Sequence, residues 1–397
     1  MAKSVRNINP HLFRSRGRGT AENRGRLDET RRRRQIRSWV ILVIAVVAVL
    51  LGIHFLRRFG KKREIKLTSL SCPANQSVTP FRDGLLYYDG ASIHHLASNG
   101  STRWSFPAGS DVEFSAGPTH LAIWSGSQLF LVDENGKSTY NDKQDGLIQF
   151  VQVGERYAAV VTGDDTSPKL SVKELSGNQV DVEVDAYNGL MLLDAGFFGE
   201  KGEYMWTLSL DMYGTAMNTV LNTFQVGKMT TGVVSLGKDL TYAVVFENAK
   251  LRVFTTQQVY TYDYQCVPSS NETMLVYGWK LIDSEIPERG RARLLLAPTA
   301  QASGSLAISE LRVLDGDSDK RYTLPGSCIG ACVFEGKVFA VSGSYLYWAD
   351  TSSQKFNSQQ IPGLNGLELT AYYGTTSDGT MLVASGDSMY ALTLPES

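Results

Sequence analysis

Four stretches of the chain superpose on one another without a gap: FRDGLLYYDGASIHHLASNGSTRW (81–104), GPTHLAIWSGSQLFLVDENGKSTY (117–140), FEGKVFAVSGSYLYWADTSSQKFN (334–357) and SDGTMLVASGDSMYALTLPES (377–397). Each reads as an alternating apolar strand, a tight turn at Asp89-Gly90, Ser125-Gly126, Ser342-Gly343 or Ser385-Gly386, and a second strand. Gly belongs there because hairpin turns need positive φ. Weaker copies at 158–180, 204–227, 253–265 and 293–324 fill the gap, so turn centres fall near 90, 126, 165, 213, 257, 300, 343 and 386. A period of roughly 41 residues is the size of a four-stranded propeller blade. A flat row of such sheets would leave two open edges, so radial closure is expected. The spacing predicts an all-β domain over 67–397, an eight-bladed β-propeller, with seven blades the alternative.

Closing the ring needs one more strand. The eighth unit ends at SMYALTLPES, its third strand, with no chain left for a fourth. Near the other end, EIKLTSL (64–70) alternates and has no partner of its own. An unpaired strand would leave a ladder of bare N–H and C=O groups. This run is therefore predicted to complete the eighth blade, with contacts between residues near 67 and residues near 391.

The first unit, DGLLYYDGASIHHLASNGSTRWSFPAG (83–109), resembles the repeat of pyrroloquinoline-quinone-type propellers: a G-x-L-Y strand, a turn, a second strand ending in Gly, and a closing W-x-F. The eight-bladed lipoprotein of outer-membrane β-barrel assembly is built from that repeat. With its N-terminal region included, the chain is similar to single-pass membrane-anchored β-propellers of Gram-positive bacteria. The resemblance implies a fold and a location. Quinone enzymes of this type hold a calcium-bound cofactor on the axis, use a catalytic Asp and repeat a docking Trp around the ring. None of these maps onto this sequence, where Trp104 has no counterpart in most later units, and no cofactor is expected.

Ahead of the repeats lies WVILVIAVVAVLLGIHFL, from Trp39 to Leu56, eighteen residues without a charge and fenced by Arg37 and Arg57. As a helix it spans roughly 27 Å, close to the hydrocarbon thickness of a bilayer. A cleaved signal peptide is disfavoured by the long basic region before it and by RRFGKKR where a cleavage site would stand. The order expected is a disordered basic tail (1–37), a transmembrane helix (38–57), a basic linker and start of the closing strand (58–66), and the propeller. Charge segregates along it: net +9 over 1–37, +5 over 57–66, and −15 over 67–397. The stronger basic bias of the tail places the N-terminus in the cytoplasm and exports the acidic domain. SRGRG and RRRR within the tail could bind nucleic acid, but the run Arg31–Arg34, close ahead of the span, fits anionic lipid headgroups better. No nucleic-acid partner is expected.

Candidate chemistry is sparse. Of the five histidines, His11 lies in the tail, His54 in the span, and His94, His95 and His120 in the first two blades. Neighbours on a strand face opposite sides, so His94 and His95 cannot chelate one metal. One is expected to pack between blades and the other to meet solvent. Cys328 and Cys332, in SCIGACVFEGKVFAV, read as one inner strand that would hold their α-carbons about 13 Å apart, too far for a disulfide. Two buried thiols are expected, with Cys266 similarly placed. Asp315, Asp317 and Asp319 begin like a calcium loop, but Lys320 stands where Gly is required and Gly326 where Glu is. They read as a solvated hairpin turn. The stretch from Trp279 to Arg293, WKLIDSEIPERGRAR, mixes both charges with Pro and Gly and reads as an exposed loop of the sixth blade.

No catalytic, cofactor-binding or metal-binding residue is nominated, and no cofactor. The favoured function is an extracytoplasmic scaffold, anchored by Trp39–Leu56, that binds a protein, peptide or glycan at a propeller face. A catalytic propeller with dispersed residues is the alternative, and a sensor signalling through the tail a weaker third. A cysteine introduced between 67 and 80 is expected to react with a membrane-impermeant thiol reagent on intact cells; labelling only after lysis would reverse the topology.

Overall fold

The computed structural model describes residues 63–395 apart from 184–186, 212, 229, 248, 270–272, 288–290, 303–305 and 317. The tail and the apolar run Trp39–Leu56 lie outside these residues. Among those described, no helix is long and apolar enough to cross a membrane.

The described chain forms eight four-stranded antiparallel sheets. Seven are built from consecutive strands, over 77–107, 113–143, 148–183, 191–237, 241–275, 279–328 and 330–360. These are blades 1 to 7, and in each the chain runs from the inner strand outwards. Blade 8 takes its inner three strands from Ala371–Thr375, Thr380–Ser385 and Ser388–Thr393. Its outer strand is Lys66–Pro73, from the other end of the domain. The count is eight, not the alternative seven, and all eight turn centres inferred from the repeat fall between the second and third strands of a blade.

Alternation along the strands explains where the core sits. Each blade is apolar on both faces, and eight clusters of buried side chains fill the eight gaps between neighbouring blades. The closing strand shows the logic in miniature. Ile65 and Leu67 join the cluster shared with blade 7, while Leu70 and Cys72 join the one shared with blade 1. Leu67 pairs with Leu392 and Thr68 with Ala391. Arg63 donates to the carbonyl of Asp378 at 2.6 Å, and the Tyr373 hydroxyl to that of Ala74 at 2.9 Å.

The outer strands also grip their neighbours. The Trp104 indole donates to the Glu134 carbonyl at 2.8 Å and lies on Gly136, where a Cβ would come within 2.7 Å of the ring. Gly136 has φ +79°, so the close approach and the turn both call for glycine. No second Trp repeats this, yet the same position is filled around the ring. Thr139 of blade 2 donates to the Leu175 carbonyl at 2.6 Å, Thr231 of blade 4 to that of Tyr264 at 3.3 Å, and Tyr322 of blade 6 to that of Thr351 at 2.9 Å. In blade 3 the direction reverses, and the Asp181 carboxylate accepts from the Gly227 N–H.

Two expectations need correction. Trp279–Glu285 is not a loop but the inner strand of blade 6, paired with Arg293–Pro298. Its two carboxylates are engaged: Asp283 accepts from the Val333 N–H of the next blade at 2.8 Å, and Glu285 from the Gly336 N–H of that blade at 3.1 Å and from Arg293 of its own at 2.9 Å. A strand bonded through its carboxylates reads as a loop in sequence. Likewise Cys328 and Cys332 do not share a strand. Cys328 ends the outer strand of blade 6, Cys332 lies on the inner strand of blade 7, and the chain crosses between them at Ile329. Both are buried and free, as are Cys72 and Cys266.

A chain that begins at Cys72 lacks most of the closing strand and uncovers the edge at Ser388–Thr393. Each lost Ile or Leu contributes about 1.5–3 kcal/mol of burial, so this chain is expected to aggregate or to melt far below one that begins at Arg63. Equal melting temperatures and monomeric behaviour in both would show that the clasp is dispensable.

Candidate functional site

The topology sorts the loops onto two rims. Turns joining second to third strands, and connectors leading from each outer strand to the next inner one, share one rim, here called the connector face. Backbone bonds tie them together: Gly163 donates to Leu147, Thr256 to Leu240, Val276 to Gln257, and Ile361 to Ser344. The remaining hairpins form the opposite, hairpin face. The closing strand starts there too, since Lys66 pairs with Thr393.

The two rims differ in charge. Among the described residues, the turns and connectors of the connector face carry eight carboxylates and one cation, Lys238. The hairpins opposite carry seven of each sign. On the hairpin face acids meet arginines, as in Arg82 with Glu134 and Arg103 with Asp83. On the connector face Asp89 meets His94 at 2.7 Å and Asp145 meets Lys169 at 3.6 Å. The carboxylates of Asp111, Asp165, Glu368 and Asp387 meet no cation among the described residues. The hydrogen bond from His94 holds the Asp89 carboxyl down to about 2. Hydrogen bonds from Thr166 and Ser167 lower that of Asp164.

The same rim gathers exposed apolar side chains. Of thirteen large ones among the described residues, nine lie on it: Leu147, Tyr213, Met217, Leu240, Leu275, Tyr277, Leu306, Tyr345 and Leu367. Tyr277 is 81% exposed and Leu275 71%. They are not spread evenly. Eight stand over blades 4 to 7 and the connector into blade 8, with only Leu147 elsewhere. Six of the eight acids show the reverse bias: Asp387, Asp89, Asp111, Asp145, Asp164 and Asp165 stand over blades 8, 1, 2 and 3, while Asp239 and Glu368 stand with the apolar groups. One rim thus has a mainly acidic half and a mainly apolar half. Two cavities open on the apolar side, about 410 Å³ under 361–368 and about 320 Å³ beside Lys280, Gln301 and Ile329. A third, about 360 Å³, lies between blades 4 to 6 and is lined by Phe198, Trp206, Phe246 and Ile286.

The residues singled out from the sequence do not converge. His94 and His95 point to opposite sides of their strand. His94 lies 2.7 Å from both Ser105 and Asp89 and stacks on Tyr87. His95 is fully buried, packed edge-on against Phe81 and Trp104. His120 lies in blade 2, 3.0 Å from the Thr119 hydroxyl. His11 and His54 lie outside the described residues. Asp315 and Asp319 flank a hairpin turn, Asp319 gripping the Arg312 guanidinium with two bonds of 2.8 Å; Asp317 lies outside the described residues. Among those described, no group of three His, Cys, Asp or Glu could hold a metal. Burial pushes the thiols up, Cys72 to about 11 and Cys328 to about 12, so they are poor nucleophiles.

The connector face itself was missed. Its signal in the sequence is hydrophobicity at turn positions, where solvated loops have no use for it: Gly146-Leu147, Asp239-Leu240, Tyr277-Gly278 and Gly366-Leu367.

No protein-family model matches the chain, and no curated protein matches it. Among solved structures it is similar to BamB from Moraxella catarrhalis, with 9% identity and a TM-score of 0.49 over 84% of this chain and 98% of that one. It is similar also to the WD40 domain of Pan2 from Neurospora crassa, with 8% identity and a TM-score of 0.45 over 82% and 90%. For Hsv2 of Kluyveromyces lactis the values are 9% and 0.46 over 74% and 100%. The eight-bladed assignment rests on the strand order itself.

His95 makes the fold sensitive to acid. Burial, seconded by the charge of Arg103, pushes its imidazole down to about 4 from the usual 6.5. A group whose folded-state pKa is depressed stabilises fully above its unfolded value and progressively less as pH falls through the folded one. Wild type should therefore lose ~3 kcal/mol between pH ~6.5 and ~4 that a His95→Leu variant does not lose. Asp283, raised to about 6 by burial, acts oppositely over nearly the same window, so the difference between the two chains is the informative quantity. Parallel stability-versus-pH curves would refute the assignment.

Proposed function

We propose that this protein is a non-catalytic docking module, anchored in a membrane by Trp39–Leu56, that presents its connector face to a partner outside the cytoplasm. The observation that carries the reading is the gathering, among the described residues, of nine of thirteen exposed large apolar side chains on one rim. Exposed apolar side chains gathered on one face mark interaction sites. The anchor is supported by the uncharged run of eighteen residues, and the orientation by the basic tail set against an acidic domain. The tail rests on anionic headgroups in this reading. The described domain begins at the hairpin face, through Arg63 and Lys66. The kinship favoured is with membrane-anchored propellers of Gram-positive bacteria carrying quinoprotein-type repeats, and Trp104 seated on Gly136 supports it for the first blade.

The test is site-specific photo-crosslinking of the full chain in intact cells. A photoreactive residue at Tyr277 or Leu306 is expected to yield adducts of defined mass, and one at Lys228 or Lys355 on the hairpin face none. Adducts from the hairpin positions alone, or from no position, would overturn the proposal.

A further inference from the structure

We infer that the occupant of the connector face is a protein segment with an apolar part and a separate basic part, lying across the rim. The inference rests on that face being the docking surface and adds the chemistry of what docks there. The division of the rim carries it. Over blades 4 to 7 the exposed groups include Tyr213, Leu275, Tyr277 and Leu306, with two cavities beside them. An apolar partner side chain seated here removes both surfaces from water at roughly 25 cal/mol per Å². Over blades 8, 1, 2 and 3 the carboxylates of Asp111, Asp165 and Asp387 meet no cation among the described residues.

Carboxylates left without a cation on this half of the rim, Asp111, Asp165 and Asp387, repel anions and attract Lys or Arg. Such complementarity governs which partners approach and how fast. It excludes acidic glycans and anionic lipid from the same half. An apolar partner without charge would fill one half and leave the other solvated, whereas a uniformly basic one would set cations against Tyr and Leu. Only a segment that changes character along its length meets both halves. At physiological salt the Debye length is about 8 Å, so the basic half of the contact should be salt-sensitive and the apolar half far less so.

The probes are four synthetic peptides of equal length and one neutral polysaccharide, dextran, titrated onto the full chain in detergent micelles. One peptide joins a Leu/Trp block to a Lys/Arg block, one joins the same apolar block to a Glu block, one joins a Ser/Gly block to Lys/Arg, and one alternates the apolar and basic residues singly. The first is expected to bind at least about tenfold tighter than every other probe, a difference of about 1.4 kcal/mol. Its affinity should fall with added salt. Leu275→Ser with Tyr277→Ser should weaken it about tenfold at all salt concentrations. Asp111→Asn with Asp165→Asn should weaken it at low salt and flatten the salt dependence. These positions are on the surface, and unchanged melting temperatures confirm that each variant is folded. Equal binding of the Glu-bearing peptide, the alternating peptide or dextran overturns the inference, as does the absence of binding by any peptide. Crosslinks from Tyr277 alongside such a result would leave the docking face standing and remove only the chemistry assigned here.

Discussion

The pairing of Lys66–Pro73 with Ser388–Thr393 is the contact on which the rest of the ring depends. A propeller has no central core. Its apolar clusters lie in the gaps between blades, and each is complete only when both neighbours are present. Removing one strand therefore touches two clusters and opens an edge ladder in blade 8. Blade-to-blade bonds add a second tier, and Trp104, Thr139, Thr231 and Tyr322 share one requirement, a donor aimed at a backbone carbonyl of the next blade. An indole, an alcohol or a phenol serves equally. The requirement is geometric, so the ring keeps its shape while the side chains at these positions differ.

That tolerance explains what could be read from the residues beforehand. Repeats whose turns use Asp-Gly or Ser-Gly announce themselves, and the unpaired run at 64–70 pointed to its partner because a ladder of bare backbone groups has few remedies. Blade 6 was harder. Asp283, Glu285 and Arg293 look solvated along the chain, yet they bond to the backbone of blade 7 or to each other. A residue-by-residue reading sees polarity but not its destination. The docking position was invisible for a related reason, since its acceptors are carbonyls that every residue possesses.

The connector face was the least legible element because no contiguous stretch contains it. Leu147 and Leu367 are separated by 220 positions and meet on one rim only through closure of the ring. Each apolar residue at a turn is unremarkable alone. Together, with acids biased to the other half, they make a patterned surface. His95 is different again, since its neighbour His94 advertised the pair while the burial that depresses its basicity came from Phe81 and Trp104.

The clasp also has a consequence in time. Its first half is among the earliest parts of the domain to be made, and its second half among the last. Bringing ends more than 300 residues apart together carries a closure entropy of about 5 kcal/mol, and none of the blade 8 ladder with Lys66–Pro73 can form before Ser388–Thr393 emerges. Until then an alternating apolar strand waits without a mate. A ring built this way can latch only after its last strand is made, and anything that held the waiting strand would decide when the ring closes.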